Sequence, residues 1–246
     1  MENRERFKAE VRFEHILHVM CLDEKLRDSL AAALEWIELD FRTTFAHEHS
    51  RIYGALGYAN HRNFHDSQRH DKVLGKISDE IDKSKERCIP HLIQKYGDIP
   101  VWAMVEVVSF GNIVHMYRNM HIHDQPHIAK RYTVKSDILG SYIQHISVVR
   151  NMCAHHARLW DKTFYGFRPL YDWRKVNLFV ADTQHLFHTF LLAYRLTQHI
   201  PAACFDRIAW KNRLVTLLKE FQMLPNCNPF EIMGIPTNGF DNAWWV

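Results

Sequence analysis

The stretch from Ser136 to Trp160 constrains the fold most strongly, because it predicts one long helix with apolar residues on more than one side. No proline occurs in it, and no glycine interrupts it after Gly140. At about 100° per residue, one face collects the apolar side chains that must pack in a core. That face comprises Leu139, Tyr142, Ile146, Val149 and Cys153. Ser136 can cap the N-terminus, and Asp137 adds a favourable charge to the first turn.

The polar residues near the end of this helix lie off the core face. Asn151 and His155 are four residues apart and share a side roughly opposite that face. Arg150 lies on the flank, roughly 140° from His155 and about 7.5 Å from it along the axis. The apolar Val148 and Met152 lie beside Asn151 and His155, where a surface helix would be polar. The sequence therefore predicts a helix covered on two sides, by its own core and by something else.

Two interpretations of this polar end remain open. It can be a plain basic helix terminus, because Arg and His complement the dipole at a helix C-terminus. Alternatively, Arg150, Asn151 and His155 form half of an anion site. Arginine offers a planar, permanently charged fork for phosphate, and histidine exchanges a proton near neutral pH. With no carboxylate pair or metal cage nearby in the sequence, such a site suits phosphate binding or phosphodiester chemistry.

Apolar stripes at helical spacing recur along the chain, whereas alternating strand patterns, internal repeats, glycine-rich phosphate loops and long linkers are absent. Further helices are predicted at about Ala9–Cys21, Asp23–Ala46, Gln68–Arg87, Ala181–Ile200 and Phe205–Leu224. Asp23 is expected to cap the second of them. The sequence thus predicts an all-α, single-domain helical bundle over residues 1–246, with residues 224–246 as an irregular tail packed on it and pinned by Trp244 and Trp245.

Two features of the first half have alternative interpretations. Glu38 and Arg42 have ion-pair spacing, and they either support an active site or, as we favour, simply pack the helix or face solvent. Glu106 lies in an apolar run with Trp102, which is expected in the core. A carboxylate in such a run needs a partner, and an Arg or His of the central helix is a candidate.

Histidine-rich and aromatic segments offer weaker candidates. His61 and His65 occupy a polar loop without a third ligand nearby, so exposure is favoured over metal binding. The segment Asp161 to Asn177 interleaves aromatic and basic residues, which either stack bases and hold phosphates or, as we favour, pack the loop on the bundle. The residues concerned are Phe164, Tyr165, Phe167, Arg168, Tyr171, Trp173, Arg174 and Lys175.

The composition narrows the function classes. A net charge of +3 is too small to argue for nucleic-acid binding by itself, although 18 histidines would make the surface more basic below about pH 6.5. Five scattered cysteines without a C-x-x-C pair favour reduced thiols and exclude a cysteine-rich zinc site. The charged start lacks a signal-peptide core, and no apolar run approaches about 18 residues. We expect a soluble, cytoplasmic protein.

A family resemblance rests on the string RNMCAHHARLW, Arg150 to Trp160. It resembles the signature of the bacterial abortive-infection (Abi) proteins, a branch of the HEPN superfamily, whose motif is an Arg, usually a polar residue, and a His a few residues later. The stretches Phe13–Thr43 and Asp98–Met120 and the tail MGIPTNGFDNAWW are similar to the family in the same order. Such proteins usually carry a further N-terminal segment before the position of Phe13. This chain begins almost there, so we expect a shorter relative or one that lost the segment.

The resemblance implies a bundle of HEPN type and a metal-independent endoribonuclease that cleaves RNA through attack by the 2′-hydroxyl, in phage defence or as a toxin. The motif would make Arg150, Asn151 and His155 catalytic, with His156 and Arg158 binding substrate. No metal or other cofactor is implied. Such ribonucleases combine two motifs, and this chain has one good match, so a homodimer with the cleft at its seam is expected.

Two alternatives belong to other classes. A non-catalytic module would use Arg150 and His155 to hold RNA, for example a small regulatory RNA, without cutting it. A histidine-rich metalloprotein would purify with stoichiometric zinc. RNA cleavage that persists in a chelator and disappears when His155 is removed separates the enzyme from both.

Overall fold

The computed structural model describes residues 11–166, 169, 184–241 and 245. Within these residues the chain forms ten α-helices and no β-strand, with two isolated bridges, so the all-α prediction is confirmed. The helices are α1 (Phe13–Tyr53), α2 (Ser67–Lys83), α3 (Cys88–Tyr96), α4 (Val101–Val107), α5 (Phe110–Asn119), α6 (Gln125–Ala129), α7 (Ser136–Ala154), α8 (Leu186–Leu196), α9 (Arg207–Gln222) and α10 (Pro229–Ile232). In the described part of the chain, no helix has the length and apolarity needed to cross a membrane.

The described residues divide into two compact units. The first unit contains residues 11–34, 149–166, 184–241 and 245, and the second contains residues 35–148 together with 169. Helices α1 and α7 each supply residues to both units. The single domain expected from the sequence stays a prediction.

Helix α1 is continuous from Phe13 to Tyr53, so the prediction of two helices separated by a cap at Asp23 is wrong. Leu22, Leu26 and Leu30 are fully buried and continue one apolar stripe past Asp23. No glycine or proline follows there to stop the helix. An aspartate within a helix can use its carboxylate for tertiary contacts instead of capping, and Asp23 does so, as described below.

In the second unit, the break between α4 and α5 is stabilised by two side chains from other helices. Arg42 of α1 donates hydrogen bonds to the carbonyl oxygen of Val105 and to that of Val108 (2.8 Å), where α4 ends. Glu80 of α2 accepts a hydrogen bond from the backbone N–H of Ser109 (2.8 Å), where α5 begins. These contacts satisfy groups that helix ends leave without partners. Glu38 and Arg42 form an ion pair, and the same arginine binds the carbonyl oxygens at the end of α4.

Two expectations about α4 are wrong. Trp102 is 44% exposed, and Glu106 is exposed as well. The two residues are four apart and therefore share one face of this short helix, while Val101, Met104 and Val105 are buried on the other. A carboxylate in solvent needs no buried partner, so Glu106 makes no case for a contact with α7.

In the first unit, aromatic side chains join the end of the chain to α1 and α8. The indole N–H of Trp210 in α9 donates to the carbonyl of Ser29 in α1 (2.7 Å). The buried Trp245 makes edge-to-face contacts with Phe187 and Tyr194 of α8, at centroid distances of 6.1 Å and 5.5 Å. Trp244 lies outside the described residues, as do residues 181–183 at the start of the predicted helix Ala181–Ile200.

Candidate functional site at the end of helix α7

Helix α7 buries the face that the sequence assigns to the core. Leu139, Tyr142, Ile146, Val149 and Cys153 are all 8% exposed or less, which confirms that part of the prediction. On the other side, Asn151 is exposed, whereas Val148 and Met152 are half-buried within one chain. Apolar surface therefore remains beside Asn151, where the sequence predicts a second cover.

The helix ends at Ala154, six residues before Trp160, because its backbone closes into a left-handed terminal turn. The N–H of His156 donates to the carbonyl of Cys153 (3.2 Å), and that of Ala157 donates to the carbonyl of Met152 (2.9 Å). His156 has φ 54°. These are the two hydrogen bonds and the left-handed residue of a Schellman motif. A helix continuing to Trp160 is therefore wrong, since the stop comes from backbone hydrogen bonds and not from glycine or proline.

His156 takes a position that glycine usually occupies. A left-handed conformation costs a residue with a Cβ roughly 1–2 kcal/mol, although histidine adopts it more readily than most. Such strain persists only when the surrounding contacts fix it, and it is concentrated at functional sites. The turn therefore holds His156 away from the helix axis and leaves it exposed.

The chain after this turn is fixed by Asp23 of α1. One carboxylate oxygen of this buried residue accepts the backbone N–H groups of Leu159 (3.1 Å) and Trp160 (2.7 Å). The other oxygen forms an ion pair with Arg27, one turn further along α1. Trp160 also stacks on Phe221 of α9 at a centroid distance of 4.3 Å. The backbone on both sides of Arg158 is thus held rigidly.

The five residues of the predicted site are all carried by this end of α7 and the segment after it. Asn151, His155, His156 and Arg158 are exposed, and Arg150 is half-buried. The backbone N–H of His155 still donates to the carbonyl of Asn151 (3.0 Å), so His155 continues the helical course by one residue. The arrangement presents two imidazoles and a guanidinium to solvent on a fixed backbone. Their catalytic and binding roles stay predictions.

Cys153 is not a nucleophile in this arrangement. It is buried, and burial raises the pKa of its thiol to about 11, against the opposing effect of Arg27. A thiol with that pKa is protonated at neutral pH, and only the thiolate reacts readily. The chemistry available at this end of α7 is therefore that of imidazole and guanidinium.

The weaker candidates contribute little that can be located. His61 and His65 are exposed, as expected. In the described ranges, no group of three or more His, Cys, Asp or Glu side chains could hold a metal ion. Of the aromatic and basic segment, Phe164 is buried and Tyr165 is 75% exposed. Its remaining candidates, Phe167, Arg168, Tyr171, Trp173, Arg174 and Lys175, lie outside the described residues.

The part that Asp23 and Arg27 play in positioning the segment after α7 was not predicted from the sequence. The signal available was an acid and an arginine at ion-pair spacing inside an otherwise apolar stripe. Charged residues among buried leucines need partners, and the spacing of Asp23 and Arg27 indicates that these two pair with each other. The contact with Leu159 and Trp160 could not be seen, because it joins residues 136 and 137 positions apart in the chain.

Comparison with known proteins gives one match. The sequence model of the Abi-like protein family matches residues 1–161. The matched range contains the stretches Phe13–Thr43, Asp98–Met120 and Arg150–Trp160, on which the resemblance was based, and excludes the tail. No curated protein and no solved structure matches the chain. Since the match covers well over half of the sequence, the chain belongs to the Abi-like protein family.

Proposed function

We propose that this protein is a metal-independent endoribonuclease that acts in phage defence. Membership of the Abi-like family associates the chain with abortive infection. A ribonuclease activity of HEPN type is the further step, and it can serve either defence or a growth-arresting toxin. Its residues are those of the predicted motif, with Arg150, Asn151 and His155 catalytic and His156 and Arg158 binding the substrate.

One observation carries the proposal: the exposed imidazoles lie at a strained turn whose downstream backbone is fixed by a buried carboxylate. His156 stands at positive φ where glycine would cost less. Asp23 takes up two backbone N–H groups just beyond it. Preorganised side chains in an open position are what catalysis on a large substrate requires.

The reaction needs a base, an acid and stabilisation of charge. An imidazole of His155 accepts the proton of the ribose 2′-hydroxyl, and the 2′-oxygen attacks the adjacent phosphorus. The bond from phosphorus to the 5′-oxygen breaks, and that oxygen takes a proton from a second imidazole. The guanidinium of Arg150 stabilises negative charge on the non-bridging oxygens, and Asn151 orients His155 or the phosphate. The products are a 2′,3′-cyclic phosphate and a 5′-hydroxyl.

The second imidazole is most simply the His155 of a second copy of the chain. In a two-fold dimer the same surface meets itself, so residues near the axis come together in pairs. The half-buried Val148 and Met152, adjoining Asn151 on α7, provide apolar surface for such a contact. A sedimentation experiment at micromolar concentration tests this directly: a dimer supports the paired site, and a monomer contradicts it.

The test of the proposal is incubation with total RNA in the presence of EDTA. We expect the wild type to cleave and both His155→Ala and Arg150→Ala to be inactive while retaining their helical circular dichroism. His91→Ala is the matched control, because His91 is an exposed histidine of α3 that is not part of the motif. Binding of RNA without cleavage by the wild type would contradict the nuclease and support the non-catalytic RNA-binding module. Cleavage lost in EDTA would contradict a metal-independent mechanism.

A further inference from the structure

The second unit carries a group of cations on α2 and α5 that the motif of α7 does not use. We call it the basic cluster, and it consists of Arg69 and Lys76 of α2 with His115 and Arg118 of α5. A guanidinium nitrogen of Arg69 lies 3.4 Å from Nδ1 of His115. Arg118 and Lys76 are exposed, while Arg69 and His115 are half-buried. Four basic groups therefore occupy one face of this helix pair.

The basic cluster is not paired with acids in the described part of the chain. None of the ion pairs among the described residues involves any of its four members. Of the acids along α2, Asp71 lies 3.5 Å from a ring nitrogen of His70, and Asp79 is in none of these ion pairs. The carboxylate of Glu80 is occupied at the start of α5 by Ser109 and Asn112. Like charges held together without partners destabilise a protein. A bound anion relieves that repulsion.

The side chain of Arg118 is held in position by α7. Its stem passes over Gly140, where an added Cβ would lie 3.3 Å from Cγ of Arg118. The guanidinium donates a hydrogen bond to the side-chain oxygen of Gln144. Gly140 therefore lets the arginine lie close against the helix, and Gln144 fixes its head. Less conformational entropy is then lost when Arg118 binds a ligand.

The electrostatics of the cluster agree with this geometry. Burial lowers the pKa of His115, and Arg69, Lys76 and Arg118 lower it further. Burial and the charge of Arg69 also lower the pKa of Arg118. His115 and Arg118 thus feel the positive charge of their neighbours, as expected where basic groups converge.

We propose that the basic cluster binds the phosphodiester backbone of RNA. Arg69 and Lys76 are separated by about 10 Å along α2, at 1.5 Å per residue. This separation exceeds the reach of one phosphate and favours a chain of phosphates over a single inorganic ion. Guanidinium groups match phosphate oxygens in pairs, and most contacts of nucleic-acid-binding proteins go to the backbone. The proposal rests on the proposed function in that it takes RNA as the substrate.

The test measures affinity without cleavage. The dissociation constant for a labelled single-stranded RNA is determined by fluorescence anisotropy over a series of salt concentrations, with His155→Ala as the common background. The double variant Arg69→Gln/Arg118→Gln is compared with Lys85→Gln/Arg87→Gln, which removes two exposed charges elsewhere in the same unit. The cluster variant is expected to bind about tenfold more weakly and to show a salt slope smaller by about 1.4, the value for two lost phosphate contacts on a single strand. Arg118→Lys, which keeps the charge, should retain more of the affinity than Arg118→Gln.

Equal dissociation constants for the two double variants would overturn the proposal, whether or not both bind RNA more weakly than the His155→Ala background. Unfolding curves in urea establish that each variant is folded. If the wild type cleaves RNA and the cluster variant binds RNA normally, the proposal for the basic cluster is wrong and the nuclease proposal is supported. If the cluster variant loses affinity for RNA while the wild type leaves RNA intact, the nuclease proposal is wrong and the proposal for the basic cluster is supported.

Discussion

The two histidines at the end of α7 and His49 of the second unit stand in opposite environments. His155 and His156 are exposed. His49 is fully buried between the rings of Phe45, Tyr53 and Phe64, and neither of its ring nitrogens has a hydrogen-bond partner. Burial, with a smaller effect of His70, lowers the pKa of His49 to about 4. The same residue type is therefore open to a substrate at the end of α7 and held neutral at His49.

This difference shows which histidines can take part in proton transfer. An imidazole that exchanges protons with RNA must be exposed, and its pKa must lie near the working pH. The ring of His49 meets neither condition, and its burial without partners is a cost to stability. The excess of histidine in the composition thus has no single meaning, and exposure divides it into groups with different consequences.

The largest expected effect is on the rate of catalysis. His155→Ala is expected to lower the rate of RNA cleavage about 10²- to 10⁴-fold, the range for loss of a general acid–base group. His47→Ala removes an exposed histidine of the second unit and should leave the rate unchanged. Initial rates on one labelled RNA compare the two variants. Similar rates for both would contradict a catalytic role for His155.

Removing the support of the α7 end is the next largest change. Asp23→Ala leaves the half-buried Arg27 without its partner and removes the acceptor of two backbone N–H groups. We expect the free energy of unfolding to fall by about 3–5 kcal/mol, measured by urea denaturation. Asp28→Ala, at an exposed site on the same helix, should change it by less than about 0.5 kcal/mol. A small effect at Asp23 would mean that the segment after α7 is fixed by other contacts.

The pH dependence of stability tests the buried histidine in this comparison. The pKa of His49 is about 4 in the folded protein, against 6.5 when unfolded, so the unfolded state binds the proton first as the pH falls. The stabilising effect of keeping His49 neutral is complete above pH 6.5 and is lost between pH 6.5 and 4, by about 3 kcal/mol. Unfolding free energies measured across this range should fall less steeply for His49→Phe than for the wild type. Parallel profiles would contradict the assignment.

The smallest expected effect concerns the strained turn. His156→Gly relieves the left-handed conformation and should raise the free energy of unfolding by about 1 kcal/mol. Asn226→Gly is the matched control, since Asn226 has φ 56° but asparagine tolerates that region well. The cleavage rate should fall for His156→Gly, because a substrate-binding imidazole is lost. A variant that is both more stable and fully active would remove His156 from the site.

Much of the fold follows from helical periodicity, because burial of an apolar stripe is a local property of the sequence. The core face of α7 is an example. Asp23 was misassigned because an aspartate before a helical run is indistinguishable from a cap until the contacts with Leu159 and Trp160 are known. Glu106 and Trp102 were misplaced because a short helix buries only one face.

The candidate site was predictable in its residues and not in its geometry. The family resemblance names Arg150, Asn151 and His155 without any structure. The left-handed turn at His156 carries no glycine to announce it, and hydrogen bonds between neighbouring backbone groups create it. The basic cluster joins α2 with α5, and Gly140 has a meaning only once Arg118 is seen to cross it. Such contacts between distant positions are not encoded in spacing.

The chemistry of the cut ends tests the central claim most directly. RNA cleaved by the wild type in EDTA is examined for its termini, beside an RNA with a single 2′-deoxy sugar at the cleaved position. Attack by the 2′-hydroxyl, with His155 as the acid or base, predicts 2′,3′-cyclic phosphate and 5′-hydroxyl ends and no cut at the deoxy position. Ends bearing a 5′-phosphate and a 3′-hydroxyl, or cleavage of the deoxy RNA, would contradict the account.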